Sequence, residues 1–324
     1  MQSLLDPAIL FFVFGVAAGF LRSNLEIPPQ ISRFLSLYLL MALGLKGGFA
    51  LAESGFTVDV SKSLGIALLL AVLVPLLGYA LLRRVVGGFD AAAVAATYGS
   101  VSAVTFITAT HHMEVQGHAF GAHMPAALAL MESPAIIMAV LFANMLRRES
   151  GAGASSGPAV PLGKVLHESF TDGAQLLLLG AMLIGLTTGE AGKAMMEPFT
   201  ADLFKGLLSF FLLDMGLMAA RNIGELRGKS PWLLGYGIVA PLAHAALALA
   251  LCLLFGVPQG DAALLMVLAA SASYIAVPAV LRFAIPEANP GLYFGLSLGV
   301  TFPLNIIFGI PLYIAIAQAA IPGG

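Results

Sequence analysis

Gly99-Ser100-Val101-Ser102-Ala103-Val104-Thr105 and Ala270-Ser271-Ala272-Ser273-Tyr274-Ile275-Ala276 are the two stretches that decide how this chain is read. Each follows an Asp-Ala-Ala at one interval, Asp90 to Gly99 and Asp261 to Ala270, and the copies lie 171 residues apart. Both sit inside apolar runs. Residues two apart on a continuous α-helix point about 200° apart. Ser100 with Ser102, and Ser271 with Ser273, therefore address one ligand only where the chain is extended or unwound. Pro278, which has no N–H, and Gly99 give local reasons for a break. Backbone unwound inside a membrane exposes groups that lipid cannot satisfy, so it must face a ligand, water or protein. Interrupted helices at matching positions of two repeats point to a transporter's binding site.

Composition leads the same way. Hydrophobic residues make up 59% of the chain and charged ones 10%, against about 45–50% and 25% in soluble domains. The net charge of −2 leaves no basic face for nucleic acid. One cysteine, Cys252, excludes a disulfide framework or a cysteine metal site. The N-terminus lacks a basic segment ahead of its first apolar run, so no cleaved signal peptide is expected.

Apolar runs of membrane-spanning length predict ten transmembrane helices, near 8–21, 33–52, 63–83, 91–111, 119–146, 173–189, 203–221, 232–256, 261–283 and 291–319. A Gly/Ser-rich stretch predicts a linker over 147–170 between a first five-helix repeat, 1–146, and a second, 171–324. The halves match elsewhere too. Leu39–Leu45 aligns with Phe211–Leu217, Val74-Pro75 with Ala240-Pro241, and Glu132-Ser133-Pro134 with Thr301-Phe302-Pro303. Five is odd, so the second repeat is inverted relative to the first. Eleven of the fifteen Lys and Arg fall on the linker's side. Positive charge marks the cytoplasm, so the expected protein is multi-pass in a bacterial inner membrane, with its linker inside and both termini outside.

Lys46, Glu132 and Asp214 are charged residues deep in predicted spans, and such groups are functional candidates. Glu132, beside Pro134, suits sodium or a proton. Lys46, near the end of its helix, either snorkels or pairs with Asp214 at the corresponding level, a structural ion pair ranking above a transport role for both. His111, His112, His118 and His123 read as a solvated loop cluster rather than a metal site. No phosphate-binding glycine loop and no catalytic constellation is present, so the chain does not read as an enzyme.

Leu43-Gly44-Leu45-Lys46-Gly47-Gly48, Asp90 to Thr105, Glu132-Ser133-Pro134-Ala135, Ala269 to Ser273 and Arg282 to Pro290 resemble the SbtA-type sodium-dependent bicarbonate transporters over nearly the whole chain. The resemblance implies an all-α fold of ten transmembrane helices in two inverted five-helix repeats with crossed broken helices. It also implies a core domain moving against a gate domain, a homotrimer and a PII-like regulatory partner. Two differences stand out: the family's Ser-Ser-Ser-Asp is Ser271-Ala272-Ser273-Tyr274 here, and its fifth-helix aspartate is Glu132.

The expected function is sodium-coupled import of a small monovalent anion, bicarbonate first. Gly99, Ser100, Ser102, Ala103, Ser271, Ser273, Tyr274 and Ile275 would bind the substrate. Ser102, Thr105, Glu132, Ser273 and Thr301 would bind sodium, the coupling ion, with no other cofactor. The rival expectations are a sodium- or proton-coupled carrier of a small carboxylate, and a non-transporting membrane sensor.

Overall fold

Apolar sequence of this kind satisfies its own backbone most readily as helix, and helix is what the chain forms. The computed structural model describes residues 6–55, 57–149, 163, 167, 171, 173–223 and 230–322. Its helices are α1 (Pro7–Phe20), α2 (Pro29–Ser54), α3 (Val58–Leu82), α4 (Gly88–Gly99), α5 (Ala103–Val115) and α6 (Met124–Glu149). After the linker come α7 (Gly173–Glu197), α8 (Leu203–Asn222), α9 (Pro231–Phe255), α10 (Gln259–Ala270) and α11 (Ala276–Ala284). The last, α12 (Pro290–Ala320), is wound partly as π-helix. Most of the predicted linker 147–170 lies outside the described residues, although α6 itself continues to Glu149.

Several helices start on one device, a polar cap followed by proline. Asp6 accepts from the Ala8 N–H at 2.8 Å ahead of Pro7, and Asn289 accepts from the Gly291 N–H at 3.0 Å ahead of Pro290. Ser230 does the same ahead of Pro231. Proline at the first helical position gives up an N–H that has no intrahelical partner anyway.

The helices pack as two bundles. One holds α1, α2, α7 and α8, with α1 laid on α8 and α2 on α7. Glycine makes both contacts possible: a Cβ on Gly216 would lie 2.2 Å from the Phe12 carbonyl, and one on Gly48 would lie 2.1 Å from that of Met182. Without a hydrophobic drive between helices in lipid, this backbone-to-backbone approach supplies the dispersion energy of association. The second bundle holds α3 to α6 and α9 to α12. One aromatic contact bridges the two, Phe12 meeting Phe302 edge-on at 5.4 Å, and within the second bundle Phe302 meets Tyr274 at 5.1 Å.

Seven helices among the described residues are long and apolar enough to cross a membrane, where the sequence predicts ten spans. The difference has three sources. Predicted spans 173–189 and 203–221 fall in one continuous helical run, Gly173–Asn222, which bends at Gly189 (φ 54°) and passes through a π-turn. The helix Pro7–Phe20 is short, and the predicted span 261–283 is divided into α10 and α11.

Candidate substrate and ion site

Both Ser-x-Ser cassettes fall in interruptions. The first separates α4 from α5 over Ser100 to Ser102, and the second separates α10 from α11 over Ser271 to Ile275. Ser100 and Ser271 both turn the chain extended, at ψ −173° and 168°. The interruptions clasp each other. The Ser102 N–H donates to Ser271 Oγ at 2.9 Å, and the Ser273 N–H donates to the Thr97 carbonyl at 2.8 Å. Pro278 is not the cause of the second break. It sits in the first turn of α11, where proline is well tolerated.

Beside the clasp lies a cavity of about 130 Å³. From the first break it takes Val101, Ser102, Ala103 and Val104; from the second, Ser273, Tyr274, Ile275 and Ala276. Ser36 and Leu40 of α2, Leu128 and Glu132 of α6, and Ala174, Gln175 and Leu178 of α7 close it. The first turns of α5 and α11 thus both reach the wall. First-turn N–H groups have no partner within their helix and carry partial positive charge. Two such turns facing one space favour an anion there.

The hydroxyls differ in what they can offer. Ser102 Oγ accepts from the Thr105 N–H at 3.1 Å and from Thr105 Oγ1 at 2.9 Å. A hydroxyl has two lone pairs and one proton, so Ser102 retains only its proton, which suits an anion and not sodium. Ser273 Oγ accepts one long bond, 3.3 Å, from the Val277 N–H. It keeps a lone pair as well as the proton. The Tyr274 hydroxyl, fully buried, faces Ser102 without closing a hydrogen bond. Glu132 is half-buried on the α6 side of the cavity.

Other predicted site residues stand back from the wall. Ser271 Oγ is occupied, donating to the Leu268 carbonyl at 2.8 Å while it accepts from Ser102. Gly99 lets Pro75 of α3 close in, since a Cβ would lie 2.5 Å from that ring. Ser100 Oγ is buried with no hydrogen-bond partner. Thr105 acts through Ser102. Thr301, expected at the sodium site, lies elsewhere: it donates to the Gly237 carbonyl at 2.7 Å and pairs with the Tyr98 hydroxyl at 2.6 Å. Its partners belong to α9 and α4, because α12 turns this face inward among them.

Two further expectations need correcting. Lys46 does not meet Asp214; its ammonium lies 2.7 Å from Glu114, where the end of α5 comes beside α2. Three of the four histidines are not solvated, His111, His112 and His123 being 7%, 5% and 5% exposed, while His118 is half-buried against Gln318. His111 and His112 are buried because α5 runs on to Val115. His111 lies 3.5 Å from Asp6, and His123 3.1 Å from Asp261. The His111 contact, together with the Ala8 N–H, holds the Asp6 carboxyl below the usual carboxylate range. Among the described residues no three His, Cys, Asp or Glu converge as metal ligands do.

Sequence reasoning missed Gln175 and Asn305. Gln175 Nε2 donates to the Ala129 carbonyl at 2.8 Å on the cavity's edge, and Asn305 Nδ2 donates to the Ala270 carbonyl at 2.8 Å, fixing the end of α10. Each is an amide inside an apolar run, a signal present in the sequence but attached to no motif.

An all-α membrane protein with a small cavity between two interrupted helices has the build of a transporter. The chain belongs to the Na+-dependent bicarbonate transporter superfamily, whose family model matches residues 7–318. No curated protein sequence matches it.

Proposed function

We propose that this protein is a secondary transporter that couples sodium to the import of a small monovalent anion, with bicarbonate as the substrate that family membership indicates. The observation that carries the proposal is the cavity itself, where two half-helix N-termini, the Ser102 and Ser273 hydroxyls and the Glu132 carboxylate share one wall. The anion takes hydrogen bonds from Ser102, Ser273, Tyr274 and the first-turn N–H groups. Sodium takes Glu132 and Ser273. Opposite charges bound side by side compensate one another, which makes each ion's binding depend on the other's. The α1–α2–α7–α8 bundle acts as gate and the other as core, the whole forming ten spans in two inverted repeats. Reciprocal contacts support that symmetry. Asp90 accepts from the Asn289 N–H at 2.7 Å ahead of α12, and its counterpart Asp261 accepts from the Gly121 N–H at 2.5 Å ahead of α6. A homotrimer in the bacterial inner membrane, open to a PII-like regulator on its inner face, completes the proposal.

The apolar rest of the wall, Leu40, Val104, Leu128, Leu178 and Ile275, favours a second reading in which a small carboxylate is carried. Proteoliposomes decide between them. Radiolabelled bicarbonate should accumulate only under an inward sodium gradient, and acetate should not compete. Uptake without sodium dependence would refute the proposal, and acetate uptake in its place would establish the second reading. Orientation is tested separately: a cysteine at Gly87, where a Cβ meets open space, should escape impermeant thiol reagents in intact cells, whereas one at Thr57 should react.

A further inference from the structure

Asp214 has no part in the site above, and its surroundings are unusual for a carboxylate. It lies in the middle of α8, only 5% exposed, and its Oδ2 atom is fully buried with no hydrogen-bond partner. An ionised carboxyl so placed must be neutralised by a cation or a proton. The elements packed on α8 are α1, α2, the π-turn after α7, and α12. From Pro7 onward α1 carries no ionisable side chain. On α2, Lys46 and Glu53 pair with Glu114 and Lys193, Tyr38 donates to the Phe199 carbonyl, and Arg33 is exposed. The π-turn offers only its own acid, Asp202, and α12 only Tyr293 and Tyr313. Arg221, two turns along α8 itself, donates to the Leu25 carbonyl at 3.2 Å. The groups that act on the carboxyl are the Ser32 hydroxyl, distant Arg221 and, across the bundle interface, Tyr274.

Two hydroxyls and one carboxyl supply fewer oxygens than the hydration shell of sodium, whereas a proton needs only Oδ2. We propose that Asp214 is a proton-binding site, occupied while α8 is packed on α12 and the second break. Its location at the meeting of the two bundles links the proton to their relative position. When the bundles part, water reaches the carboxyl, the O–H bond breaks to the solvent and the carboxylate remains. Protonation and the packed arrangement then favour each other, as linkage requires.

Infrared difference spectroscopy of the purified protein tests this without substrate or transport, so its outcome is separate from that of the uptake assay. The wild type at neutral pH should show a protonated-carboxyl stretch that Asp214→Asn lacks and that Asp214→Glu shifts. The second variant keeps the test open if the first does not fold. The absence of any such Asp214-dependent band, with or without sodium, means that the carboxyl is ionised and overturns the proposal.

Discussion

The two breaks read almost identically in sequence, yet they are held in different ways. The first spans three residues, and Ser102 caps α5 fully, accepting from both the N–H and the hydroxyl of Thr105. The second spans five, and the residue before α11 is Ile275, which offers no side-chain cap. Ser273 reaches back only through a 3.3 Å bond. The first break carries a tight side-chain cap, whereas the second has a single long one. What lies behind each also differs, since Glu132 reaches the cavity and Thr301, which the sequence alignment sets against it, turns away to Tyr98 and Gly237. Two similar cassettes are thus held unequally, the first by a full cap and the second by one long bond.

The largest effect should come from exchanging the groups behind the breaks. Glu132→Gln should reduce transport at least tenfold and raise the sodium concentration for half-maximal rate, with thermal stability nearly unchanged. Sodium should protect the wild type against heat more than this variant, since a ligand bound only to the folded state stabilises it by occupancy. Thr301→Val should do the reverse. It should leave sodium dependence intact and destabilise the protein by about 1–3 kcal/mol through the stranded Tyr98 hydroxyl and Gly237 carbonyl. Equal sodium shifts in both would erase the distinction between the halves.

The serines sharpen it further. Ser273→Ala should weaken substrate affinity by about 5- to 150-fold with little change in melting temperature. Ser102→Ala should lose affinity and also about 1 kcal/mol of stability, because the Thr105 N–H loses its cap. A stable Ser102→Ala protein would mean that the first break is not the clasp.

Next come the aspartates that anchor each broken helix. Asp261, 2% exposed, holds Ser63 and the Gly121 N–H and contacts His123, whereas Asp90 receives the Asn289 N–H at a more open site. Asp261→Asn should lower the melting temperature clearly more than Asp90→Asn. The smallest effect belongs to Glu53, which is exposed beside Lys193 at 2.7 Å. The two side chains form an ion pair that contributes to stability. In open solvent that contribution is small, and Glu53→Gln should leave the melting temperature unchanged within error.

Both breaks were legible in the sequence because a Ser-x-Ser in an apolar run conflicts with helical periodicity, and the conflict appears twice. Their cause was less legible: Pro278 looked responsible but occupies a helix start. Tertiary partners were not legible at all. Lys46 had Asp214 at its level by repeat alignment, but ion pairing follows which helix ends meet, and the extra turn of α5 brought Glu114 instead. The same extension buried His111 and His112, which a boundary drawn at residue 111 had left in a loop. Gln175 lines the cavity from α7 because two bundles meet there, a relation that no spacing within one helix encodes.

In the proposed mechanism the two breaks hold one anion together with sodium. Equilibrium binding of radiolabelled bicarbonate to the purified protein, with and without sodium, tests it most directly. Wild-type binding should require sodium, Ser102→Ala with Ser273→Ala should abolish it, and the Glu132→Gln protein should bind only at higher sodium. Full, sodium-independent binding by the double serine variant would contradict the account.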